Sequence, residues 1–293
     1  MRQPTQRLLI FLKMENPFTI LCPIDFSECS LNAIEYASRL GEKYKADLIL
    51  FHVLNTQDYL KLSPLDVNAK HQEEFVREKM QTLQKAVQAE SIPKGLKSCE
   101  IAFQDGNVVK MILDLTSMKK ANLIVIGTEG MNELRENVMG SRASQIVQEA
   151  DRDVLVVPRK VFFKSPRKLV FASDYMEEDK LAIQKIVEFA GFFDSEIDLL
   201  HVSSSRKSID RTLHQVMIDE ITPFIRHEKV NFVLKSFKDD LAIGLENYLQ
   251  TSKGDVLVTF SKKKTFFDQI FSKNLSKKMA YFTSKPLWVI KSF

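Results

Sequence analysis

The chain contains one succession of residues twice, at a nearly fixed separation. Asp25 and Asp174 each follow a short apolar run and lie 149 residues apart. Near the end of each copy the separation is 133 residues, as between Val154 and Leu287. A repeat of this length predicts two copies of a whole domain rather than a solenoid of short units. The length of 293 residues suits two domains of ordinary size.

Each copy alternates short β-branched runs with longer stretches that are apolar at every third or fourth position. This alternation predicts βα units, and hence an α/β fold with a parallel sheet in each domain. The predicted strands are residues 18–24, 47–53, 98–103, 123–126 and 154–157, then 168–172, 197–202, 231–234, 256–260 and 287–290. The first predicted helix has an apolar face made of Leu31, Ala33, Ile34, Ala37 and Leu40.

Two segments lie outside the repeat. Residues 1–13 combine basic residues with an apolar core that is too short for a signal peptide, so we treat them as an N-terminal tail. Residues 159–166 are basic and lie between prolines, which is typical of a linker. We therefore predict a first domain over residues 14–158 and a second domain over residues 167–293.

Composition narrows the class of protein. A hydrophobic content of 44% indicates a packed globular chain, and a net charge of +4 does not demand nucleic acid or an anionic membrane as a partner. No apolar run approaches the roughly 18 residues of a membrane span. The three cysteines are few and follow no metal-binding spacing, which predicts a reducing, cytoplasmic location without disulfides or a zinc site.

A glycine-rich stretch follows the fourth predicted strand. Ile126 ends the apolar run, and Gly127, Gly130 and Gly140-Ser141 then form the pattern G-x2-G-x9-G-S before a helical stretch. Glycines let backbone approach a ligand closely, and a helix N-terminus favours an anion such as phosphate. The pattern is neither a Walker loop nor a Rossmann fingerprint. It predicts a phosphate-binding loop, with simple turn formation as the alternative.

The same pattern resembles the ATP-binding signature of the universal stress protein family, without insertion or deletion. Together with the repeat, the resemblance covers nearly the whole chain, which looks like a tandem universal stress protein. It implies two flavodoxin- or Rossmann-like domains of the adenine nucleotide alpha hydrolase type, each with an open five-stranded parallel sheet and helices on both faces. Family members commonly dimerise through the last strand. That pairing is expected here between the two domains, and a homodimer of chains is left open.

The resemblance also implies which residues bind the nucleotide. Asp25 would accept a hydrogen bond from the adenosine, although an Asx turn is the alternative, and the backbone of Val53 would meet the adenine. Ser27 would reach a phosphate or cap the first helix. Mg²⁺ would be held mainly by phosphate oxygens, and no catalytic or metal-binding side chain is predicted. The predicted cofactor-binding residues are Pro23, Ile24, Asp25, Ser27, Val53, Ile126, Gly127, Gly130, Gly140, Ser141, Arg142 and Ala143.

The second copy has lost the glycine pattern. Phe260, Lys263 and Lys273 stand where the three glycines stood, and Asn274 replaces the serine. A phenylalanine side chain would crowd the route of the phosphates, so nucleotide is expected in the first domain only. The lysines and phenylalanines of residues 261–278 favour an amphipathic helix over a nucleic-acid or membrane surface.

These observations predict an ATP-binding universal stress protein with a regulatory or stress-response role, acting on a protein partner that the sequence does not identify. Two alternatives stay open. A slow Mg²⁺-dependent ATP hydrolase would need Glu129 or Asp25 as its general base. An interaction module would bind no nucleotide. His52 and His201 occupy matching positions of the repeat, so we expect a shared structural role for them rather than catalysis.

Overall fold

The structure is a computed structural model that describes residues 17–54, 69–128, 141–173, 179–203, 208–236, 241–261 and 284–291. The strands are β1 (Thr19–Pro23), β2 (Asp47–Leu54), β3 (Ser98–Asp105), β4 (Leu123–Thr128), β5 (Asp153–Pro158), β6 (Lys168–Ser173), β7 (Glu196–Ser203), β8 (Val230–Ser236), β9 (Val256–Ser261) and β10 (Leu287–Lys291). The α-helices are α1 (Glu28–Tyr44), α2 (Ala69–Ser91), α3 (Val108–Met118), α4 (Ser141–Glu149), α5 (Asp179–Phe193), α6 (Ser208–Ile221) and α7 (Leu241–Ser252). The predicted N-terminal tail and most of the basic stretch 261–278 lie outside the described residues.

All ten strands belong to one sheet, in the order β3-β2-β1-β4-β5-β10-β9-β6-β7-β8. Within each half the strands are parallel and follow the same spatial order. The last strands of the two halves, β5 and β10, pair antiparallel at the centre. The prediction of two parallel five-stranded arrangements is therefore confirmed, and the last strands join them into one continuous sheet.

The backbone repeats at the separations found in the sequence. Lys45 and Asp194, which are 149 residues apart, both end a helix in the left-handed conformation, with φ of 51° and 56°. Lys120 and Lys253, which are 133 residues apart, have φ of 51° and 58°. Non-glycine residues rarely adopt this conformation, so its recurrence at matched positions reflects one backbone used twice.

The core lies on both faces of the sheet, because helices cover both sides. In β1 the side chains of Ile20 and Cys22 pack into one layer, and Leu21 between them packs into the other. All three are fully buried. Parallel strands covered on both faces read as continuous apolar runs, which is why the sequence showed runs rather than alternation.

The segment between the halves packs against α1. The Asn32 side-chain amide donates to the carbonyls of Pro158 and Val161 at 3.0 and 2.8 Å, and the Tyr36 hydroxyl donates to the carbonyl of Phe162 at 3.2 Å. These contacts turn Asn32 and Tyr36 inward. Leu31, which was predicted on the buried face, is 42% exposed. That prediction was wrong, because Leu31 lies about 200° around the helix from buried Ala33.

The cysteines agree with the prediction that no disulfide forms. Cys22, Cys29 and Cys99 are all buried, and none of them forms a disulfide. Burial raises the pKa of Cys99 to about 12, so its thiol stays protonated at neutral pH. None of the helices in the described ranges is long and apolar enough to cross a membrane.

A buried ion pair ties the two halves together. Asp153 in β5 is 5% exposed, and the Lys185 Nζ atom in α5 lies 2.9 Å from each of its carboxylate oxygens. The backbone N–H of Lys291 in β10 donates to the same carboxylate at 3.0 Å. Burial raises the pKa of Asp153, while Lys185 and Lys291 act in the opposite direction. Three elements from both halves thus meet at one carboxylate.

We expect Lys185→Met to lower the free energy of unfolding by about 1–3 kcal/mol, because it leaves the Asp153 carboxylate buried with fewer partners. Denaturant unfolding followed by circular dichroism measures the change. Lys180→Met on the same helix is the control, because Lys180 contacts Glu220, whose side chain is 54% exposed, at 3.4 Å. The free energy of unfolding of Lys180→Met should fall by no more than about 0.5 kcal/mol. Equal losses in the two variants would contradict a structural role for the buried pair.

Candidate functional site

A cavity of about 260 Å³ lies at the carboxyl ends of β1, β2 and β4. In an open parallel sheet, this edge forms a crevice where successive connections leave to opposite faces, and ligands bind there. The turn after β1, the first residues of α4 and one side of α3 complete the walls. The lining residues are Pro23, Ile24, Asp25, Ser27, Cys29, Ser30, Phe51, His52, Val53, Val108, Ile112, Ile126, Gly127, Thr128, Arg142, Ala143 and Ile146.

Most of the predicted cofactor-binding residues line this one cavity. They are Pro23, Ile24, Asp25, Ser27, Val53, Ile126, Gly127, Arg142 and Ala143. Ser141 is the first residue of α4, as expected for the helix that follows the glycine pattern. Gly130 and Gly140 lie outside the described residues. The structure thus brings together residues that are more than a hundred positions apart in sequence, and their role in binding stays a prediction.

The turn after β1 is held by its own side chains. Asp25 Oδ1 accepts hydrogen bonds from the Ser27 N–H at 3.0 Å and from the Ser27 Oγ at 2.5 Å. The Ser27 Oγ in turn accepts from the Ser30 N–H at 3.2 Å and caps α1. The Asx turn and the helix cap, both given as alternatives, are therefore present. They fix the position of Asp25 at the cavity without excluding contact with a ligand.

The same hydrogen bonds set the charge of Asp25. Partial burial raises the pKa of its carboxyl, but the hydrogen bonds that involve Ser27, Ser30 and the backbone of Asp25 together lower it more, so the pKa lies below its usual value. Asp25 is therefore ionised at neutral pH and presents a hydrogen-bond acceptor to the cavity.

Gly127 allows α1 to start directly against β4. A Cβ atom at this position would lie 2.3 Å from the Cys29 carbonyl oxygen and 2.9 Å from the Ser30 nitrogen. Only glycine permits this approach of two backbones. The contact places the capped turn that holds Asp25 beside the end of β4. In the second half the matching residue, Phe260, is 8% exposed and packs into the core.

His52 lines the cavity, although only a structural role was predicted for it. Its Nδ1 lies 2.7 Å from the carbonyl oxygen of Ile24, and the matching His201 Nδ1 lies 2.8 Å from the carbonyl oxygen of Ser173. The expected shared structural role is confirmed. Because a carbonyl only accepts, Nδ1 carries the proton and the neutral ring keeps Nε2 as an acceptor. The signal for a cavity role was the adjacency of His52 to Val53 at the strand end.

Burial also favours the neutral form of this imidazole. It lowers the pKa of His52, and the bond to Ile24 and the charge of Asp25 offset this only in part. The His52 ring lies 5.0 Å from the ring of Phe26.

Positive charge enters the cavity from α4. Among the described lining residues, Arg142 carries the only fixed positive charge, and its side chain is exposed. It stands in the first turn of α4, where free backbone N–H groups and the helix dipole also favour an anion. No group of three or more His, Cys, Asp or Glu side chains in the described part of the chain could hold a metal ion.

We expect Gly127→Ala to lower the free energy of unfolding by about 1–3 kcal/mol, because its methyl group would force α1 away from β4. Gly191→Ala in α5 is the control, since a Cβ there meets nothing within 4 Å. It should instead raise stability by about 0.5–1 kcal/mol through helix propensity. Denaturant unfolding compares the three proteins. A gain in stability for Gly127→Ala would show that the close approach does not constrain α1.

The histidine makes stability depend on pH. The pKa of His52 is lower in the folded protein than its value of about 6.5 in the unfolded chain. The contribution of the neutral imidazole to the free energy of unfolding is therefore complete above that pH. It is lost as the pH falls through the folded pKa. When the pH is lowered from neutral, the free energy of unfolding should fall less in the His52→Asn variant than in the unaltered protein. The reason is that asparagine cannot gain the proton. Urea unfolding at a series of pH values tests this, and parallel losses in the two proteins would contradict it.

Comparison with known proteins identifies the first half of the chain. Residues 18–158 match the model of the universal stress protein family. Universal stress protein MJ0531 of Methanocaldococcus jannaschii is 28% identical over 149 residues, which cover 51% of this chain and 83% of that protein. Universal stress protein MJ0577 of the same organism is 27% identical over 154 residues, covering 48% and 94% of the two chains.

A solved structure extends the likeness to the whole fold. The crystal structure of a universal stress protein from Archaeoglobus fulgidus covers 93% of this chain and 98% of its own, with a TM-score of 0.72 at 16% identity. At that identity the likeness shows the fold alone, which is an α/β fold with a mainly parallel sheet and helices on both faces. The family match and the sequence relatives go further for the first half, where residues 18–158 are similar to universal stress protein domains in sequence as well.

Proposed function

We propose that the first half of the chain binds an adenine nucleotide, ATP in the first instance, and serves a regulatory or stress-response role. The observation that carries this proposal is the convergence at one cavity of the Asp25 turn, the Gly127 contact and the start of α4. These three features come from the turn between β1 and α1, the end of β4 and the start of α4.

The adenosine would lie across the ends of β1 and β2. The ionised carboxylate of Asp25 accepts hydrogen bonds and so selects a ligand that carries amino or hydroxyl donors. The backbone of Val53 would contact the base. The neutral ring of His52 offers Nε2 as a further acceptor on the same wall. The apolar side chains of Ile24 and Ile126 exclude water from the ring faces.

The phosphates would extend toward α4. The backbone N–H groups at Arg142 and Ala143 belong to the first turn of α4, which leaves them without intrahelical acceptors. Together with the guanidinium of Arg142 they offset negative charge. A Mg²⁺ ion would bind mainly through phosphate oxygens, with the chain positioning the phosphates rather than the ion. Gly130, Gly140 and Ser141 complete the phosphate contacts in this proposal.

The second half is proposed to be a degenerate universal stress protein domain that binds no nucleotide. The repeated left-handed residues and the repeated strand order support a second copy of the fold. Phe260 fills the core where Gly127 admits the helix backbone in the first half. Lys263, Lys273 and Asn274 lie outside the described residues. We propose domains over residues 14–158 and 167–293, with residues 159–166 as the linker.

We propose that the antiparallel β5–β10 pair takes the place of the contact through which two single-domain chains would dimerise. A further homodimer would use another surface. Three buried cysteines outside any disulfide support a cytoplasmic location. The role itself would follow from a difference in nucleotide affinity between two conformational states, each with its own protein partner.

Calorimetric titration tests nucleotide binding. We expect ATP to bind at about one per chain, and Arg142→Ala to weaken ATP about tenfold, since a hydrogen bond to a charged group contributes about 1.5–3 kcal/mol. The same substitution should weaken the binding of adenosine, which has no phosphate, by less than about twofold. Gln145→Ala, an exposed change one turn further along α4, is the matched control and should bind ATP like the unaltered protein.

Other outcomes separate the alternatives. Two nucleotides per chain would overturn the proposal for the second half. No heat of binding and no increase in thermal stability with ATP would favour the interaction module, since a ligand of the folded state raises its stability. Metal-dependent phosphate release that disappears in Glu129→Gln would favour the hydrolase.

A further inference from the structure

A second cavity lies between the two halves, far along the sheet from the nucleotide cavity. It has a volume of about 460 Å³ and is lined on one side by α1 and the starts of β1 and β4, and on the other by α5 and β10. Its floor is the β5–β10 pair. We call it the seam cavity. Its size falls in the range of small-molecule sites, and both halves contribute to its walls.

Aromatic rings form two of its walls. On the first-half side, the rings of Phe18 and Tyr44 stack with centroids 4.3 Å apart. On the second-half side, the rings of Phe189 and Trp288 lie 5.2 Å apart. Leu155 and Ile290 add aliphatic surface between them. A lining this rich in aromatic rings favours a flat ligand, because a planar ring can stack on them or pack against their edges.

The charges at the seam cavity argue against an anionic ligand. Lys185 is held by Asp153, and the Lys291 Nζ donates to the carbonyl oxygen of Val147 at 2.6 Å. Both described lysines of the lining thus have partners already. An anion would in addition meet the carboxylates of Asp153 and Glu188, which line the same cavity. A neutral ligand needs no free lysine and is not repelled by these carboxylates.

One neutral polar group is available on the aromatic wall. The hydroxyl of Tyr44 has no hydrogen-bond partner among the described residues, whereas the hydroxyl of Tyr36, two turns earlier on α1, donates to Phe162. Burial raises the pKa of Tyr44, so the group remains a protonated hydroxyl that can both donate and accept.

We propose that the seam cavity is a second ligand site, which takes a neutral, flat aromatic compound with a hydroxyl or carbonyl group. The aromatic walls hold the ring system, and the Tyr44 hydroxyl bonds the polar substituent. The site is separate from the nucleotide cavity and does not depend on the proposed nucleotide function, since the two cavities share no lining residue.

The chain provides its own reporter for this site. Trp288 is the only tryptophan in the sequence, and it lines the seam cavity. We would titrate the full chain with 2-naphthol, a neutral flat probe, and follow tryptophan fluorescence excited where tyrosine does not absorb. N-acetyltryptophanamide in the same buffer corrects for light absorbed by the probe. Saturable quenching is the expected result, with 2-naphthoate, the anionic counterpart, at least about tenfold weaker because its charge would be buried unpaired.

Two matched variants locate the binding. Tyr44→Phe should weaken 2-naphthol about two- to tenfold, the effect of one lost hydrogen bond. Tyr36→Phe makes the same change on the same helix outside the cavity and should leave the affinity unchanged. Three results would overturn the proposal: quenching that does not saturate, equal affinity in Tyr44→Phe and the unaltered chain, or naphthoate that binds as tightly as naphthol. The titrations are done without ATP, so failure or success here is independent of the nucleotide site.

Discussion

The antiparallel pairing of β5 with β10 is the contact on which the rest of the molecule depends. Without it, each half would end in an apolar strand with unpaired backbone groups, which is a surface that invites aggregation. Leu155 pairs with Trp288 and Val154 with Val289, so the ladder runs between two buried, apolar strands. Because both strands belong to one chain, the pairing is intramolecular, and each strand has a high effective concentration near the other. Asp153, bonded to Lys185 and Lys291, adds a polar contact whose geometry fixes how the halves meet.

The two halves share one arrangement of strands, and one difference in side chain bears directly on the candidate site. Strand order, left-handed helix ends and the histidine-to-carbonyl bond are the same in both. At the end of the fourth strand, however, one half has Gly127 and the other has Phe260. A glycine lets the helix backbone reach the strand and leaves space for a ligand, whereas a buried phenylalanine fills that space with core. The proposed loss of a binding site in the second half would therefore need no change of fold.

The sequence predicted the fold well because its signals are local. Each predicted strand is present, with ends that shift by one or two residues, and the repeat located both halves. Leu31 was assigned to the wrong side of α1, because an apolar residue among other apolar residues suggests burial until the helical angle is applied. The cavity role of His52 was missed since its bond to Ile24 is a tertiary contact. The seam cavity was not foreseen either: its walls come from α1 and α5, which the chain separates by more than a hundred residues, and only the β5–β10 register brings them together.

One helix connects the two cavities. The N-terminus of α1 carries the cap at Ser27 beside the nucleotide cavity, and its C-terminal turn carries Leu40 and Tyr44 in the wall of the seam cavity. A helix of 17 residues spans about 25 Å and moves largely as a rigid rod, so a shift at one end is felt at the other. Gly127 restrains the first end against β4, and the stacking of Tyr44 on Phe18 restrains the second. If α1 has two positions, any ligand that prefers one of them at either cavity must change the affinity at the other by the same factor, because binding linkage is reciprocal. In that case α1 would be the physical route by which the two proposed ligands regulate each other's binding.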